Sequence, residues 1–485
     1  MNILFIASEV EGFAKTGGLA DVAKALPLAL KRRGHDVRIV MPFYSTIAGR
    51  EKAGHLGGFT LPTRPGHTDI PYQVRELMLE DVPVMLIEFP NYFDRASLYA
   101  ENNSAYPDNG ERFAFLSAAA LQLTEQIGFR PDIVHCNDWH TALVPMMLKT
   151  RYAQSPFFRG TRSVITVHNG AFQGIFERHQ LWALPEVTDT YNEAITQGHA
   201  YINFLKCGVL YADKINAVSP SYASELMTYL GGHGMAKNFQ ERSADLCGII
   251  NGCDYADWDP KTDPLIPVNY NLDHLDRKEL CKHALQKRAG LPVNDTPLFG
   301  MVCRLTEQKG LHLLLPILER FLVHKVQVVI VGTGEPALQD RLTDLMRAYP
   351  DRLAFLCAHD NGLAHLIEAG SDFFLMPSLF EPCGLNQMYS LAYGTLPIIR
   401  AVGGLRDTVV DYDAQPRQAT GFSFQEPEPL ALLSTLRRAL LFFLQEPEAY
   451  AQVQRTAMQT RYLWSDSVRE YEHMYQQALG LGASY

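Results

Sequence analysis

The sequence feature that most constrains the fold is a repeated alternation of short apolar segments with amphipathic helical segments. The first example lies within residues 1–42: an apolar run at 3–7, a stretch at 19–30 with apolar side chains three and four apart, and a second apolar run at 37–41. This order predicts a strand, a helix and a second, parallel strand. Pro27 predicts a kink or an early end of the helix, and Gly34 predicts its C-terminal cap.

Other apolar segments in the first half of the chain end in polar residues. The segments 131–140, 163–170 and 214–220 each close on His, Asn, Asp or Ser side chains. In an open parallel sheet, ligands bind beyond the carboxyl ends of the strands. These strand ends are therefore candidates, as a group, for a binding or catalytic site.

The same alternation starts again near residue 297. Apolar segments at 298–305, 326–331, 353–358, 373–378 and 396–401 are separated by helical patterns such as 309–322. Two series of this kind predict an α/β protein with two doubly wound domains, joined near the Asn-Gly turn within 247–254. A short echo, GGLADV at 17–22 and GGLRDTV at 403–409, gives weak support for two similar sheets.

The C-terminal residues follow a different pattern. Trp464, Val468, Tyr471 and Tyr475 share one face of a helical stretch, and Ser465 is its candidate N-cap. An amphipathic helix must bury its apolar face, so we expect this helix to dock onto the first domain.

The composition argues against several classes of protein. The 485 residues include 43 Lys and Arg against 53 Asp and Glu, a formal net charge of -10, which argues against nucleic acid as the main partner. The eight cysteines include no C-x-x-C pair, which favours reduced thiols in a cytoplasmic protein. With neither a signal-peptide pattern nor an apolar run of about 20 residues, we expect a cytoplasmic location and no membrane partner.

Lys15, Gly17 and Gly18 lie where the first predicted strand passes into the first predicted helix. Glycines let a ligand approach the backbone, a helix N-terminus offers unpaired N–H groups, and the lysine adds a positive charge. This combination suits a phosphate or diphosphate. A tight turn with a solvated lysine fits the pattern equally well, so the residues alone leave both interpretations open.

Two charged groups in the second series suggest a related chemistry. Arg304 and Lys309 follow the first strand of that series, where two cations suit a diphosphate, and a surface basic pair is the alternative. Glu381 precedes Pro382, and Gly384 lies at the start of a predicted helix. A carboxylate beside an anion-binding helix end suits a site that contacts both a sugar hydroxyl and a phosphate, and a helix cap is the alternative.

Asp138 and His168 end two strands of the first series, next to Trp139 and His140. Two polar strand ends in one sheet favour a site, although a single buried histidine is often structural. No zinc-ligand spacing, nucleophile elbow or phosphate-loop motif occurs, and a nicotinamide dehydrogenase would need G-x-G-x-x-G after the first strand. The sequence therefore predicts neither a metal nor a cofactor.

Eight segments taken together resemble one family. They are KTGGLADV, HCNDWHTALVP, TVHNGAFQGIF, FLKCGVLYADKINAVSP, INGCD, RLTEQKGL, EPCGLNQ and YGTLPIIRAVGGLRDTV. In this order they resemble the bacterial glycogen/starch synthases over nearly the whole chain. The resemblance implies a GT-B glycosyltransferase that transfers glucose from ADP-glucose to the non-reducing end of an α-1,4-glucan, with retention of configuration.

The resemblance also implies an organisation of the chain. It implies two doubly wound Rossmann-like domains facing a cleft: residues 1–250 on the acceptor side and residues 251–461 as the donor nucleotide-binding domain. Residues 462–485 are expected to form a C-terminal helix that returns to the first domain. The implied partners are the ADP-glucose donor and an α-1,4-glucan acceptor, and nothing in the sequence predicts an oligomeric state.

Roles for single residues follow from the same resemblance. The residues assigned to substrate binding are Lys15, Gly18, Asn251, Cys383, Gly384 and Tyr99, the last as a sugar-stacking tyrosine. The residues assigned to catalysis are Asp138 and His168 around the donor glucose, Arg304 and Lys309 on its diphosphate, and Glu381 as the active-site glutamate.

One segment departs from the family pattern. Residues 233–238 read HGMAKN, where the family usually has a Gly-Met-Glu-Gly-like sequence, so an acid is lost and a lysine is gained. The change motivates one alternative, a glucan-binding or regulatory relative without turnover. A retaining transferase that uses UDP-glucose or another acceptor is the second alternative.

Overall fold

The computed structural model describes residues 1–63, 68–101, 104–181, 195–198 and 200–481. The chain divides into two compact units: Met1–Gly252 together with Trp464–Tyr485, and Cys253–Leu463. We call them the first and the second unit. The first division falls within the segment 247–254, between Gly252 and Cys253.

The first unit is an α/β structure. Its strands are β1 Asn2–Ile6, β2 Asp36–Pro42, β3 Gly54–Leu61, β4 Ile70–Leu79, β5 Val82–Glu88, β6 Ala100–Glu101, β7 Ser104–Ala105, β8 Ile133–Asn137, β9 Arg162–Val167, β10 Ile175–Glu177, β11 Thr196–Gln197, β12 Tyr201–Asn203, β13 Lys214–Ala217 and β14 Leu246–Gly248. Its helices are α1 Gly18–Arg32, α2 Pro90–Phe93, α3 Asn109–Gln126, α4 Asp138–Thr141, α5 Val144–Lys149, α6 Phe204–Tyr211, α7 Pro220–Leu226, α8 Ala236–Glu241 and the C-terminal helix Trp464–Ala478.

Within the described residues, the main sheet of the first unit has nine strands in the order β14-β13-β9-β8-β1-β2-β5-β4-β3. The strands from β14 to β5 are parallel, and β4 and β3 extend the sheet as antiparallel strands. Strands β1 and β8 are buried along nearly their whole length, as expected for parallel strands covered on both faces. The chain proceeds from β1 towards β2 and β5 on one side and from β8 towards β14 on the other, so the strand order reverses between β1 and β8.

Strands β3, β4 and β5 are a feature that the sequence analysis did not predict. Strand β3 is exposed at most of its positions, and most positions of β4 are partly or fully exposed. A half-exposed antiparallel strand contains no continuous apolar run, so β3 and β4 give a weaker signal than the buried parallel strands. This reason does not apply to β5, which is buried and pairs in parallel with β2.

The prediction that Pro27 would kink the first helix or end it early was wrong in part, because the helix does not end there. Helix α1 continues through Pro27 to Arg32, and Pro27 is itself buried. The buried side chains on both sides of the proline, such as Leu26 and Leu30, hold the helix against the sheet despite the missing N–H group. Gly34 adopts a positive φ of 87° just after the helix, which agrees with its predicted role in ending it.

The C-terminal helix packs on the first unit through the predicted apolar face. Val468, Tyr471 and Tyr475 are each at most 1% exposed. The Tyr475 hydroxyl lies 2.6 Å from His135 Nδ1 on β8, and the Tyr471 hydroxyl accepts a hydrogen bond from Asn216 Nδ2 on β13. The prediction of Ser465 as N-cap was wrong, because the helix already begins at Trp464.

The second unit is also an α/β structure. Its strands are β15 Leu298–Val302, β16 Gln327–Val331, β17 Leu353–Leu356, β18 Phe373–Met376, β19 Leu396–Arg400 and β20 Phe422–Phe424. Its helices are α9 Lys278–Ala289, α10 Leu311–Leu322, α11 Pro336–Ala348, α12 Asn361–Gly370, α13 Asn386–Tyr393, α14 Gly403–Thr408, α15 Pro429–Gln445 and α16 Pro447–Gln459.

The six strands described for the second unit are all parallel, in the order β17-β16-β15-β18-β19-β20. Here the strand order reverses between β15 and β18. Apolar side chains of α10, α15 and the sheet form one buried core, which includes Phe299, Leu314 and Leu436. The predicted α/β class with two doubly wound domains is therefore confirmed.

Two smaller observations concern the chemistry of the chain. The eight cysteines are all free thiols, and most of them are buried. Among the described residues, no helix combines the length and the apolar character that crossing a membrane would require.

Candidate active-site residues

The first candidate cluster lies at the carboxyl ends of β1, β8 and β9, where the strand order of the first unit reverses. Ligands of open α/β sheets bind at such reversal points. The loop after β1 carries Glu9 and Lys15, the end of β8 carries Asn137 and Asp138, and His168 directly follows β9. The structure therefore brings the predicted Lys15, Asp138 and His168 to one edge of one sheet.

Asp138 is held in an unusual environment. Its φ is +53°, a conformation that Asp and Asn tolerate better than most residues, and the residue is 7% exposed. Its Oδ1 accepts hydrogen bonds from the backbone N–H groups of His168 (2.7 Å) and Asn169 (3.3 Å). Burial raises the pKa of Asp138 to about 7, although these two hydrogen bonds act in the opposite direction. The carboxyl group therefore gains or loses its proton near neutral pH.

This pKa predicts how Asp138→Asn changes the pH dependence of stability. In the unfolded chain an aspartate titrates near 3.9, so between about pH 4 and 7 the folded protein keeps a proton that the unfolded chain releases. That contribution to the free energy of unfolding falls as the pH rises through this window. Asparagine does not titrate and keeps an acceptor for both N–H groups. The melting temperature of Asp138→Asn relative to the wild type should therefore rise between pH 5 and pH 8, by about 2 °C or more.

Thermal unfolding at several pH values measures this difference. Asp81→Asn, in the exposed turn between β4 and β5, is the matched control because it makes the same substitution at a solvated site. A melting-temperature difference for Asp138→Asn that is the same at pH 5 and pH 8 would contradict the raised pKa.

His168 is neutral and oriented. Burial lowers its pKa to about 3. Asn137 Nδ2 donates to the Ile6 carbonyl, so Asn137 Oδ1 is left to accept from His168 Nε2 at 2.9 Å. This network assigns the proton of His168 to Nε2 and makes Nδ1 a hydrogen-bond acceptor. A neutral acceptor at a strand end suits the hydroxyl group of a sugar.

Tyr99 joins the cluster from the segment before α3. Its hydroxyl donates to Glu9 Oε1 at 2.7 Å, and its ring lies 4.8 Å from the ring of His140. His140 is 7% exposed, and its Nδ1 has no hydrogen-bond partner in the described part of the chain. An unpaired buried nitrogen is costly, and together with the aromatic ring of Tyr99 it makes this cluster a candidate binding site.

Lys15 is already paired in the structure. Its Nζ lies 2.7 Å from Glu11 Oε2 and 2.7 Å from Asp21 Oδ1. Burial acts to lower its pKa, but Asp21 and Glu11 together raise it above its usual value. Lys15 is therefore charged, and an incoming phosphate would compete with these two carboxylates for it.

Neither the backbone conformation nor a close contact within the described structure requires glycine at positions 17 and 18. Gly17 has an extended backbone, and a Cβ atom built on Gly17 or Gly18 would meet no described atom within 4 Å. The Gly-Gly pair at 403–404 differs, because its surroundings do require glycine. Gly403 has a φ of +44°, and a Cβ there would lie 2.0 Å from the Glu381 carbonyl. The sequence echo between the two halves is thus not a structural equivalence of these glycines.

Open space at Gly18 allows a clean test of ligand approach. We expect Gly18→Ala to fold with an unchanged or slightly higher melting temperature, because the added methyl group meets no protein atom and alanine favours the helix. If a donor sugar or phosphate approaches this backbone, the methyl group should raise the KM for the donor by about tenfold, the effect of roughly 1.4 kcal/mol.

Steady-state kinetics with varied donor concentration measure this KM. Gly54→Ala is the matched control, since a Cβ at that exposed strand position would make only an ordinary contact of 3.8 Å. Equal donor KM values for the two variants would rule out close approach of the donor to Gly18.

Asn251 lies apart from this cluster in the strand order. It follows β14, and β13, β9 and β8 separate that strand from β1. Asn251 is 5% exposed, and its Oδ1 has no hydrogen-bond partner among the described residues. The lysine gained in the atypical segment, Lys237, is 87% exposed on α8.

The second candidate cluster lies at the carboxyl ends of β15, β16 and β18, where the strand order of the second unit reverses. A pocket of about 320 Å³ opens there. Its polar lining includes Arg304, Lys309, Thr333, Ser378, Glu381 and Asn386. The predicted residues Arg304, Lys309, Glu381 and Gly384 therefore share one pocket, although 77 positions separate Arg304 from Glu381 in the sequence.

Lys309 and Glu381 form the charged centre of this pocket. Lys309 Nζ lies 2.6 Å from Glu381 Oε2, with side-chain exposures of 21% and 9%. Ser378 Oγ donates to the same carboxylate oxygen at 3.0 Å. Arg304 is exposed on the pocket wall. These groups bring two cations and one carboxylate to the pocket, and Asp360 adds a second carboxylate to its lining, so an anionic ligand would bind at Arg304 and Lys309.

The backbone around Glu381 is fixed by its neighbours. Gly384 has a φ of +73°, which favours glycine, and Gly404 N–H donates to the carbonyl groups of Glu381 and Pro382. Cys383 is buried at 5% exposure, immediately before Gly384 and the start of α13.

Sequence reasoning missed three residues that the geometry includes. Glu9 binds the loop of Lys15, Asn137 orients His168, and Ser378 binds Glu381. Asn137 and Ser378 each end a predicted strand, so the rule that pointed to Asp138 applies to them as well. Nothing in the local sequence distinguishes Glu9.

Comparison with known proteins decides the family. The family model described as the starch synthase catalytic domain matches residues 2–241, and the model of group 1 glycosyl transferases matches residues 284–458. A glycogen synthase of Aeromonas hydrophila is 64% identical over 99% of this chain and 98% of its own length. The chain belongs to the glycogen/starch synthase family. A second relative, a glycogen synthase of Photobacterium profundum, is 55% identical over 98% of this chain and 94% of its own length.

Solved structures agree with the fold. The catalytic domain of starch synthase IV from Arabidopsis thaliana, bound to ADP and acarbose, superposes with a TM-score of 0.89 at 32% identity, covering 99% of each chain. A sucrose-phosphate synthase from Thermosynechococcus elongatus has a TM-score of 0.59 at 18% identity, a likeness of fold alone. The chain is thus a GT-B glycosyltransferase of the glycogen synthase type, as the resemblance implied.

Proposed function

We propose that the chain transfers glucose from ADP-glucose to the non-reducing end of an α-1,4-glucan, with retention of configuration. The observation that carries the proposal is the pocket at the strand-order reversal of the second unit, where Arg304 and Lys309 lie with Glu381. The starch synthase from Arabidopsis thaliana is described as bound to ADP and acarbose, which supports the same donor nucleotide and a glucan-like acceptor for this chain. We keep residues 1–250, 251–461 and 462–485 as the proposed acceptor domain, donor domain and C-terminal helix.

The donor diphosphate is assigned to the pocket of the second unit. Two cations within hydrogen-bonding reach of a diphosphate stabilise the negative charge that grows on it as the bond to glucose breaks. Lys309 would then exchange its contact with Glu381 for one with phosphate, or hold both anions together. The backbone at Cys383 and Gly384 lies beside Glu381, where it can contact the bound donor.

Sugar recognition is assigned to the cluster of the first unit. Asp138 and the acceptor nitrogen of His168 suit hydroxyl groups of the donor glucose, while the Tyr99 ring suits stacking on a glucan residue. Lys15 and Gly18 are proposed as further donor contacts. Asn251 offers an acceptor at the end of β14.

The proposed reaction needs no strong acid. The bond between glucose C1 and the β-phosphate oxygen breaks, and a new bond forms from C1 to the 4-hydroxyl oxygen of the glucan. The hydroxyl proton passes to the departing phosphate, which is a good leaving group. Positive charge on the glucose ring in the transition state favours a nearby carboxylate, and Glu381 takes that role without forming a covalent bond.

The test is the incorporation of labelled glucose into a maltooligosaccharide, with ADP-glucose and UDP-glucose compared at equal concentration. A much higher kcat/KM with ADP-glucose is expected. A higher value with UDP-glucose would overturn the proposed donor and keep the transferase reaction. Glucan binding without transfer from either donor would instead favour a regulatory relative.

The stereochemistry needs a separate measurement. Digestion of the extended product by an exo-acting α-1,4-glucosidase releases the added glucose if configuration is retained. A product that resists this enzyme would contradict the proposed linkage.

A further inference from the structure

Glu9, in the loop after β1, accepts four hydrogen bonds at the strand-order reversal of the first unit. The residue is 4% exposed. Its carboxylate accepts hydrogen bonds from the Thr16 N–H (2.5 Å), the Thr16 hydroxyl (2.6 Å), the Gly17 N–H (3.2 Å) and the Tyr99 hydroxyl (2.7 Å). One buried carboxylate thus joins the loop of residues 15–18, which we call the glycine loop, to Tyr99.

We propose that Glu9 is a positioning residue for glucosyl transfer, which holds the glycine loop and the Tyr99 ring in one fixed geometry. This inference rests on the proposed function, in which the loop contacts the donor and Tyr99 stacks on a sugar. Glu9 binds the hydroxyl end of Tyr99, so the ring is held in place and keeps its faces for packing. His140 already lies against the ring, with the ring centroids 4.8 Å apart.

The hydrogen bonds also orient the glycine loop. The N–H groups of Thr16 and Gly17 point at Glu9 rather than at a ligand, so the loop presents the Lys15 side chain and the open backbone of Gly18 instead. Charge-assisted hydrogen bonds of this length are stronger than bonds between neutral groups. Loss of the carboxylate should therefore loosen both the loop and Tyr99, whose hydroxyl would keep only its contact of 2.8 Å with Ser8 Oγ.

Hydrogen-bond chemistry separates two substitutions of Glu9. In Glu9→Gln the amide oxygen can accept from the two backbone N–H groups, and the amide NH₂ can donate to the Thr16 and Tyr99 hydroxyls, which also act as acceptors. All four hydrogen bonds are thus retained, although the two hydroxyl groups now accept instead of donating. In Glu9→Ala every link is lost. A role that depends on position predicts that glutamine rescues activity and alanine does not.

The experiment measures kcat and both KM values for the wild type, Glu9→Ala, Glu9→Gln, Tyr99→Phe and the double variant Glu9→Ala/Tyr99→Phe. We expect Glu9→Ala to lower kcat by about 10-fold to 100-fold and to raise the KM for the glucan, because small displacements of positioning groups have effects of this size. Glu9→Gln should retain most of the activity. The double variant should lose less than the product of the two single effects, since Glu9 acts partly through Tyr99.

The control is Glu88→Ala on β5, a carboxylate of the same unit that pairs with Arg75 at 2.7 Å. If Glu9→Ala lowers only the melting temperature and leaves kcat and both KM values equal to those of Glu88→Ala, then Glu9 is merely structural and the proposal is overturned. If Glu9→Ala does not fold, the kinetics of Glu9→Gln and Thr16→Ala still test the positioning role of Glu9. A Thr16→Ala variant with unchanged KM values would contradict the proposed role of the loop.

A second readout keeps this inference distinct from the proposed function. Migration through a gel that contains glycogen reports glucan binding without turnover. If the wild type transfers no glucose from either donor, the proposed function fails. In that case, retarded migration of the wild type and of Glu9→Gln but not of Glu9→Ala would still support the positioning of Tyr99, and equal migration of all three would overturn it.

Discussion

Replacement of Glu381 by glutamine is expected to lower kcat for glucosyl transfer by about 10²–10³-fold, the effect typical of removing one electrostatic group from an active site. Glutamine has nearly the same size and can still accept the hydrogen bond from Ser378 Oγ. What it removes is the negative charge that would face the glucose ring in the transition state. Because Lys309 loses its anionic partner at 2.6 Å, the diphosphate should bind at least as tightly as in the wild type.

Glu381→Gln should thus separate catalysis from binding. Initial rates at saturating donor give kcat, and calorimetric titration with ADP gives the dissociation constant. Glu368→Gln is a matched control, because Glu368 is also a buried glutamate of the second unit with a serine partner, Ser390, at 2.6 Å. If Glu381→Gln shows the kcat of this control, Glu381 has no electrostatic role in the reaction.

The second large effect is expected for Lys309→Ala, with kcat/KM for ADP-glucose reduced by about 10²–10³-fold. This variant loses the cation that would stabilise the departing diphosphate. It also leaves the Glu381 carboxylate, 9% exposed, without its counter-charge, and that carboxylate then repels the donor. Donor affinity and kcat should therefore fall together, unlike the result for Glu381→Gln. Breaking a buried ion pair also lowers stability, by up to about 3–5 kcal/mol when both partners are fully buried.

Two further variants distinguish catalysis from stability. Lys282→Ala breaks another ion pair of the second unit, with Asp372 at 2.7 Å, so it should lower the melting temperature without changing kcat. The double variant Lys309→Ala/Glu381→Gln removes the unpaired carboxylate, so donor affinity should partly return while kcat stays low. A Lys309→Ala enzyme that is no less active than Lys282→Ala would show that Lys309 does not contact the diphosphate.

The sequence by itself determined the class of fold and the family. Buried parallel strands read as continuous apolar runs, and helices such as α1 and α10 carry apolar side chains at helical spacing. These patterns lie within single segments, so they can be recognised without knowing which other segments pack against them. The eight collinear motifs specified the glycogen/starch synthase family, which the family models and relatives confirmed. Strands β3 and β4 were missed because their pattern is half polar.

Only the tertiary structure decided which groups touch. The polar residues at predicted strand ends were candidates for a site. The strand order then placed Arg304 and Glu381 in one pocket and Asp138 beside His168. A Gly-Gly pair occurs at 17–18 and at 403–404, yet the first pair faces open space and the second packs against the backbone near Glu381. Glu9 had no sequence signal at all, because its importance lies in hydrogen bonds to Tyr99, 90 positions away. Hydrogen-bond partners and burial depend on contacts distant in sequence, and no local periodicity encodes them.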